Sequence, residues 1–113
     1  MFVNKVELVG RMVKDPELKC IEETDKKVCN FTIAVNRNFT NANGEREADY
    51  IPVVVWGRIA ETICNYMKKG RLISVIGRLQ IKRYEGKDGN RRYISEVVGE
   101  EVTFLDSNKE KAE

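Results

Sequence analysis

The sequence predicts an all-β domain: a five-stranded Greek-key barrel with one helix between its third and fourth strands. Three observations predict it. Strand-type alternation recurs in five segments, each bounded by turn residues. Only one stretch, "RIAETICNYMKKG", repeats apolar residues at helical spacing, with Ile59, Ile63 and Met67 at i, i+4 and i+8. Gly10, Gly57 and Gly77 each interrupt a strand pattern singly, as bulges and tight bends do at the corners of a small barrel.

The elements follow in order. "NKVELVGRMV" alternates, with Val6 and Leu8 on one side and Lys5, Glu7 and Arg11 on the other; "DPEL" ends it because Pro16 has no N–H to donate. "KCIEETDKKVCNFTIAV" reads as a hairpin running into a second long strand, with Phe31, Ile33 and Val35 in phase. A turn centred on Thr24 and Asp25 would set Cys20 opposite Cys29. "NFTNANGERE" is a polar loop holding Asn-Gly, a strong turn dipeptide, and suits a mobile arm. "ADYIPVVVWG" is the third strand, and the helix after it runs to Gly70, a stop residue. "RLISVIGRLQIKRY" and "RRYISEVVGEEVTFL" are the fourth and fifth strands. Residues 1–105 thus form one domain, and "DSNKEKAE", residues 106–113, is expected to be a disordered tail. Three strands, a helix and two more strands is the layout of an OB-fold.

Composition excludes several functions. A chain of 113 residues supports a single core. Its net charge of +2 is too small to argue from, so the distribution of charge must decide. No apolar run approaches the ~18 residues of a membrane span, and "MFVNKVELVG" lacks the layout of a signal peptide, so a cytosolic place is expected. Three cysteines without a CxxC pair, in a chain without histidine, cannot furnish an ordinary zinc site. They are expected to stay thiols, and neither a metal nor a cofactor is expected. The missing histidine, the lack of a Walker-type glycine loop and the lack of clustered carboxylates beside a nucleophile all argue against an enzyme.

Strand parity then defines a surface. Ile51, Val53 and Val55, with Ile73, Val75, Leu79 and Ile81, form aliphatic sets that belong inside a barrel. Tyr50, Val54 and Trp56, with Arg78, Gln80, Lys82 and Tyr84, take the other faces. Phe39 opens the polar loop, next but one to Arg37. In the hairpin "LQIKRYEGKDGNRRYISEVV" and just before it, Arg78, Lys82, Arg83, Lys87, Arg91 and Arg92 face only Glu85 and Asp88. Rings among cations suit a ligand that is both flat and negative. Duplex DNA hides the faces of its bases; a single strand exposes them, and stacking on a ring is worth roughly 1–3 kcal/mol per base with little choice among bases. Tyr84 would stack a base while Lys82, Arg83, Arg91 and Arg92 track phosphates along a two-stranded arm.

The segments "VNKVELVGRMVKDPEL", "FTIAVNRNF", "YIPVVVWGRIAE", "YMKKG" and "IGRLQIKRYEGKDGNRRYISEVV" resemble, in order and spacing, the bacterial single-stranded DNA-binding protein family. That resemblance implies an OB-fold that assembles as a homotetramer and wraps single-stranded DNA during replication, recombination and repair, in the cytoplasm on the nucleoid. It implies stacking by Phe39, Tyr50, Trp56 and Tyr84. It implies phosphate contacts from Lys5, Arg58, Lys68, Lys69, Lys82 and Arg83, with Arg11, Arg37 and Arg92 as additions; the hairpin itself adds Arg78 and Arg91. Members often carry Trp where this chain has Phe39, Tyr50 and Tyr84, and Phe where it has Trp56, so ring character is retained throughout. Typical members also end in a long Gly/Pro/Gln-rich linker and an acidic tip that recruits repair proteins. This chain stops at "DSNKEKAE": either it is cut short of such a tip, or it is a short paralogue that binds DNA without recruiting partners by that route. The first strand, Phe2 to about Val9, would leave a barrel edge open to the same strand of a second copy, giving at least a dimer. The alternative on the same fold is a replication-restart accessory protein of the primosomal type.

Overall fold

The computed structural model describes residues 1–105; the tail expected over 106–113 lies outside the described residues. The strands are β1 (Val6–Met12), β2 (Glu17–Ile21), β3 (Lys26–Thr40), β4 (Arg46–Trp56), β5 (Leu72–Glu85) and β6 (Arg91–Phe104), with helix α1 (Arg58–Tyr66) between β4 and β5. Hydrogen-bonded neighbours run β1–β5–β6–β4–β3, and β1 returns to β3 through Arg11 opposite Ala34 and Met12 opposite Ile33. Five strands therefore close a ring, with the helix between its third and fourth members, as an OB-fold requires. The closure is uneven, because β4 and β6 meet in parallel over only Val53–Val97 and Val54–Val98. The sixth strand, β2, is the first arm of the expected hairpin and pairs with the start of β3.

Alternation builds the interior. Phe31 and Ile33 of β3, Val53 and Val55 of β4, Ile73 and Val75 of β5 and Val97 of β6 point inward and are buried. The helix closes one end by dropping Ala60 and Ile63 onto them. It stops at Tyr66 rather than near Gly70. Met67 turns extended while its N–H still reaches Ile63 O at 2.8 Å, so its side chain falls into the core. Lys27 Nζ meets Glu61 Oε1 at 2.6 Å and ties β3 to the helix. That carboxylate, through its hydrogen bond and its charge, raises the Lys27 ammonium above its ordinary range.

Of the three glycines expected to interrupt strands, Gly57 instead sits at the helix N-cap with φ 72°, and the other two are required by close approach. At Gly10 a Cβ would lie 2.6 Å from Ala34 O, where β1 crosses β3. At Gly77 it would lie 1.9 Å from Val98 O, where the β5–β6 register slips between Ile76 and Gly77.

Several expectations are corrected. The hairpin turn sits one residue earlier in phase, closing Ile21 onto Lys26 with Asp25 at φ 55°. Cys20 therefore faces Lys27, Cys29 faces Leu18, and Cys29 Sγ instead touches Cys64 Sγ on the helix at 3.4 Å. Burial, and then that thiol contact, push the Cys29 thiol up to about 12. Leu79 and Ile81 keep inward parity but are exposed, because β5 and β6 continue past the barrel as a free ribbon that has no opposite wall. The first strand begins at Val6, not Phe2, and Met1, Phe2 and Val3 are exposed. Asn4 bridges the gap: its amide donates to Leu79 O at 2.8 Å and accepts from Leu79 N at 2.9 Å.

Candidate nucleic-acid interface

Pairing register decides which rings and cations share a surface. On β4 the outward residues are Tyr50, Pro52, Val54 and Trp56. Val54 is the parallel neighbour of Val98, and Val98 faces Arg78 across β6 and β5. The same outward parity carries on to Gln80, Lys82 and Tyr84, with Arg92 opposite Tyr84. One continuous face therefore bears three rings that a folded core would ordinarily claim. Tyr50 is 67% exposed, Trp56 45% and Tyr84 47%. Tyr50 and Trp56 stand six residues apart, roughly 20 Å along the strand, too far to share one base. Phe39, 66% exposed, stands near the end of β3 within the register shift between Asn36 and Thr40.

The cations divide into groups. Lys82 and Arg92 flank Tyr84 on its own face, whereas Arg83 and Arg91 lie on the reverse of the ribbon with Tyr93, which the register sets opposite Arg83. The expected row of Lys82, Arg83, Arg91 and Arg92 is thus two rows, one on each side. Arg83, Tyr84, Glu85 and Arg91 line a hollow at the ribbon edge. Beside Trp56 and Arg58 the structure brings Lys26 and Lys27, lining a hollow of about 680 Å³ with Asp25 and Glu61. Sequence reading missed this lysine pair. The hairpin phase hid it, since only the pairing of Val28 with Trp56 and the bond from Gly57 N to Lys27 O at 2.8 Å place it there.

Arg11, Lys68 and Lys69 gather at the opposite end of β5, roughly 40 Å from Tyr84 by strand rise. There Arg11 Nη1 donates to Gly70 O at 3.0 Å, and Lys69 N donates to Asp15 Oδ1 at 2.8 Å. Lys5 immediately precedes β1. Arg37 lies on the inward parity of the β3–β4 arm, where its Nε and Nη2 reach Asp49 Oδ1 at 3.1 and 2.8 Å and Nη1 reaches Glu47 at 3.8 Å. The hydrogen bond from Arg37 holds the Asp49 carboxyl below its ordinary range. That contact is complete above the unfolded carboxylate pKa and is lost as pH falls through the lowered one.

Other cations on the ring face are engaged by acids. Arg78 Nε lies 3.8 Å from Glu100 Oε2, Lys82 Nζ 3.2 Å from Glu96 Oε2 and Arg92 Nη2 3.0 Å from Asp88 Oδ2. The Asp88 carboxyl is held low, chiefly by the Asn90 backbone N–H that it accepts. The Arg78–Glu100 and Arg92–Asp88 pairs are exposed at both ends and worth about 0–1 kcal/mol, so a phosphate can exchange with the acid there. Chemically, the face can stack flat groups and neutralise a chain of anions between them.

The model of the single-strand binding protein family matches residues 3–105. The chain belongs to that family. Relatives agree. It is 60% identical over 108 residues to single-stranded DNA-binding protein 1 of Clostridium acetobutylicum, covering 96% of this chain and 98% of that one. It is 55% identical to single-stranded DNA-binding protein 2 of the same organism, covering 96% and 80%. It is 52% identical to the single-stranded DNA-binding protein of Clostridium tetani, covering 97% and 76%. The family, by its description, is one of binding proteins rather than enzymes. Its match begins at Val3 and ends at Leu105, so it spans the whole ring of strands and the ribbon that carries Tyr84.

Proposed function

We propose that this chain binds single-stranded DNA with little sequence preference and shields it during replication, recombination and repair, on the nucleoid in the cytoplasm. Bases stack on Tyr50, Trp56 and Tyr84, and on Phe39 at the end of β3. Phosphates lie against Arg78, Lys82 and Arg92 on the same face, and against Lys5 and Arg58 at its margins. Arg83 and Arg91 serve a strand that passes over the ribbon edge to its reverse side. Arg11, Lys68 and Lys69 serve one that continues round the barrel, and Arg37 serves the Phe39 end after releasing Asp49. The observation that carries this reading is the unbroken outer face joining β4 to β5 through Val54, Val98 and Arg78.

The test is a titration of the chain's single tryptophan with poly(dT) at several salt concentrations. Trp56 emission is expected to quench on binding, and log K to fall by about 0.7 per log unit of salt for each phosphate neutralised. Equal affinity for matched duplex, or binding without quenching, counts against the reading.

The same reading includes assembly into at least a dimer, and a tetramer by family likeness. β1 is paired along one side by β5, but on its other side only Arg11 and Met12 meet β3. The Val6–Gly10 edge is open to a second copy, and exposed Val9, Leu79 and Ile81 offer apolar surface for it to cover. Light scattering at low micromolar concentration is expected to give a multiple of the 13.0 kDa chain mass; a monomer alone contradicts assembly.

A further inference from the structure

Among the described residues Glu96 is the only charged side chain that is buried, at 8% exposure. It is not in the core. It lies on β6 opposite Gln80, on the ring-bearing face, beneath the side chains of Gln80 and Lys82. Its Oε2 accepts from Gln80 Nε2 at 2.9 Å and faces Lys82 Nζ at 3.2 Å, while Gln80 Oε1 accepts from Arg78 Nη1 at 3.4 Å. Taking a carboxylate out of water is costly, and apolar residues of like volume are commonly as stable in such places. A buried ion pair is thus weak evidence of a stabilising role for the charge at this position. Lys82 precedes Tyr84 by two residues on the same face, so the ammonium best placed for a phosphate beside a base on Tyr84 is already neutralised from below.

We infer that Glu96 is a built-in counterion for the DNA face: it positions Lys82 in the free protein, competes with phosphate for it, and so lowers both the affinity and the salt dependence of single-strand binding. This rests on the single-stranded DNA reading above. While Lys82 stays paired with Glu96 the couple carries no net charge and displaces no counterion from the DNA. With the carboxylate gone, Lys82 neutralises one phosphate more.

The experiment compares poly(dT) titrations of the full chain with those of Glu96→Gln, of Glu96→Met, which fills similar volume without charge, and of each combined with Lys82→Gln. Either single variant is expected to bind about two- to fivefold tighter at 0.1 M salt, a modest gain because the ammonium end of the pair is solvent-exposed and screened. Its log–log salt slope is expected to steepen by about 0.7. Both changes are expected to vanish once Lys82 is also replaced. A steepening that survives loss of Lys82 is a general charge effect and overturns the inference. So does an unchanged slope in a folded variant, or weaker binding. Failure of both variants to fold overturns it too, since Glu96 then serves the fold. If the unaltered chain does not bind poly(dT) at all, it is the underlying reading that fails.

Discussion

Tyr84→Ala is expected to weaken poly(dT) binding by about 1–3 kcal/mol, roughly five- to 150-fold, with stability and oligomeric state unchanged. The ring stands on a ribbon that has left the barrel and is half exposed, so removing it opens no cavity. Trp56 remains to report binding by its fluorescence. The informative control is Tyr93→Ala. Tyr93 is 61% exposed on the same ribbon but on the reverse face, opposite Arg83. Its loss is expected to cost clearly less than the loss of Tyr84. Equal losses would show that the two faces are not distinguished by the ligand, and the assignment of the binding surface to the Tyr84 side would be wrong.

Gly77→Ala is expected to destabilise the fold by about 3 kcal/mol or more, a large share of the 5–15 kcal/mol that holds an ordinary domain together. A methyl group there meets Val98 O at 1.9 Å, and backbone cannot swing aside as a side-chain tip can. The slip between Ile76 and Gly77 bends β5 and β6 where the ribbon departs from the barrel, so relieving the clash shifts the strand pair that carries Lys82 and Tyr84. Chemical denaturation gives the measurement. Gly10→Ala, whose methyl would lie 2.6 Å from Ala34 O, is expected to be milder. A Gly77→Ala midpoint within error of the parent would mean the two strands have room that the geometry denies.

Much of this was legible in the chain. Val53 and Val55 on β4, like Ile73 and Val75 on β5, alternate with residues of the opposite face, and period-two patterning needs no knowledge of neighbours. The helix was legible from Ile59, Ile63 and Met67, although its end was not. Met67 is both the last member of the apolar stripe and the residue at which the backbone turns extended. Outward parity for Tyr50, Trp56 and Tyr84 was likewise local. The same parity rule misplaced Leu79 and Ile81, because it gives the side a residue points to and not whether anything lies on that side. Cys20 was misplaced for a different reason: moving the turn centre by one residue shifts every partner along a hairpin by two, so Cys20 meets Lys27 and not Cys29.

By itself, then, the chain determined its class of fold, its alternating faces and the kinds of side chain that meet a ligand, because each of these depends on residues a few positions apart. Only the tertiary structure decided that Tyr84 and Lys82 join Tyr50 and Trp56 while Arg83 and Arg91 turn away, that Lys26 and Lys27 stand beside Trp56, and that Glu96 sits beneath Lys82. Those are cross-strand facts, set by register and by where the ribbon leaves the barrel. Register comes from turn closure, bulges and core packing acting together, so no single stretch of residues contains it.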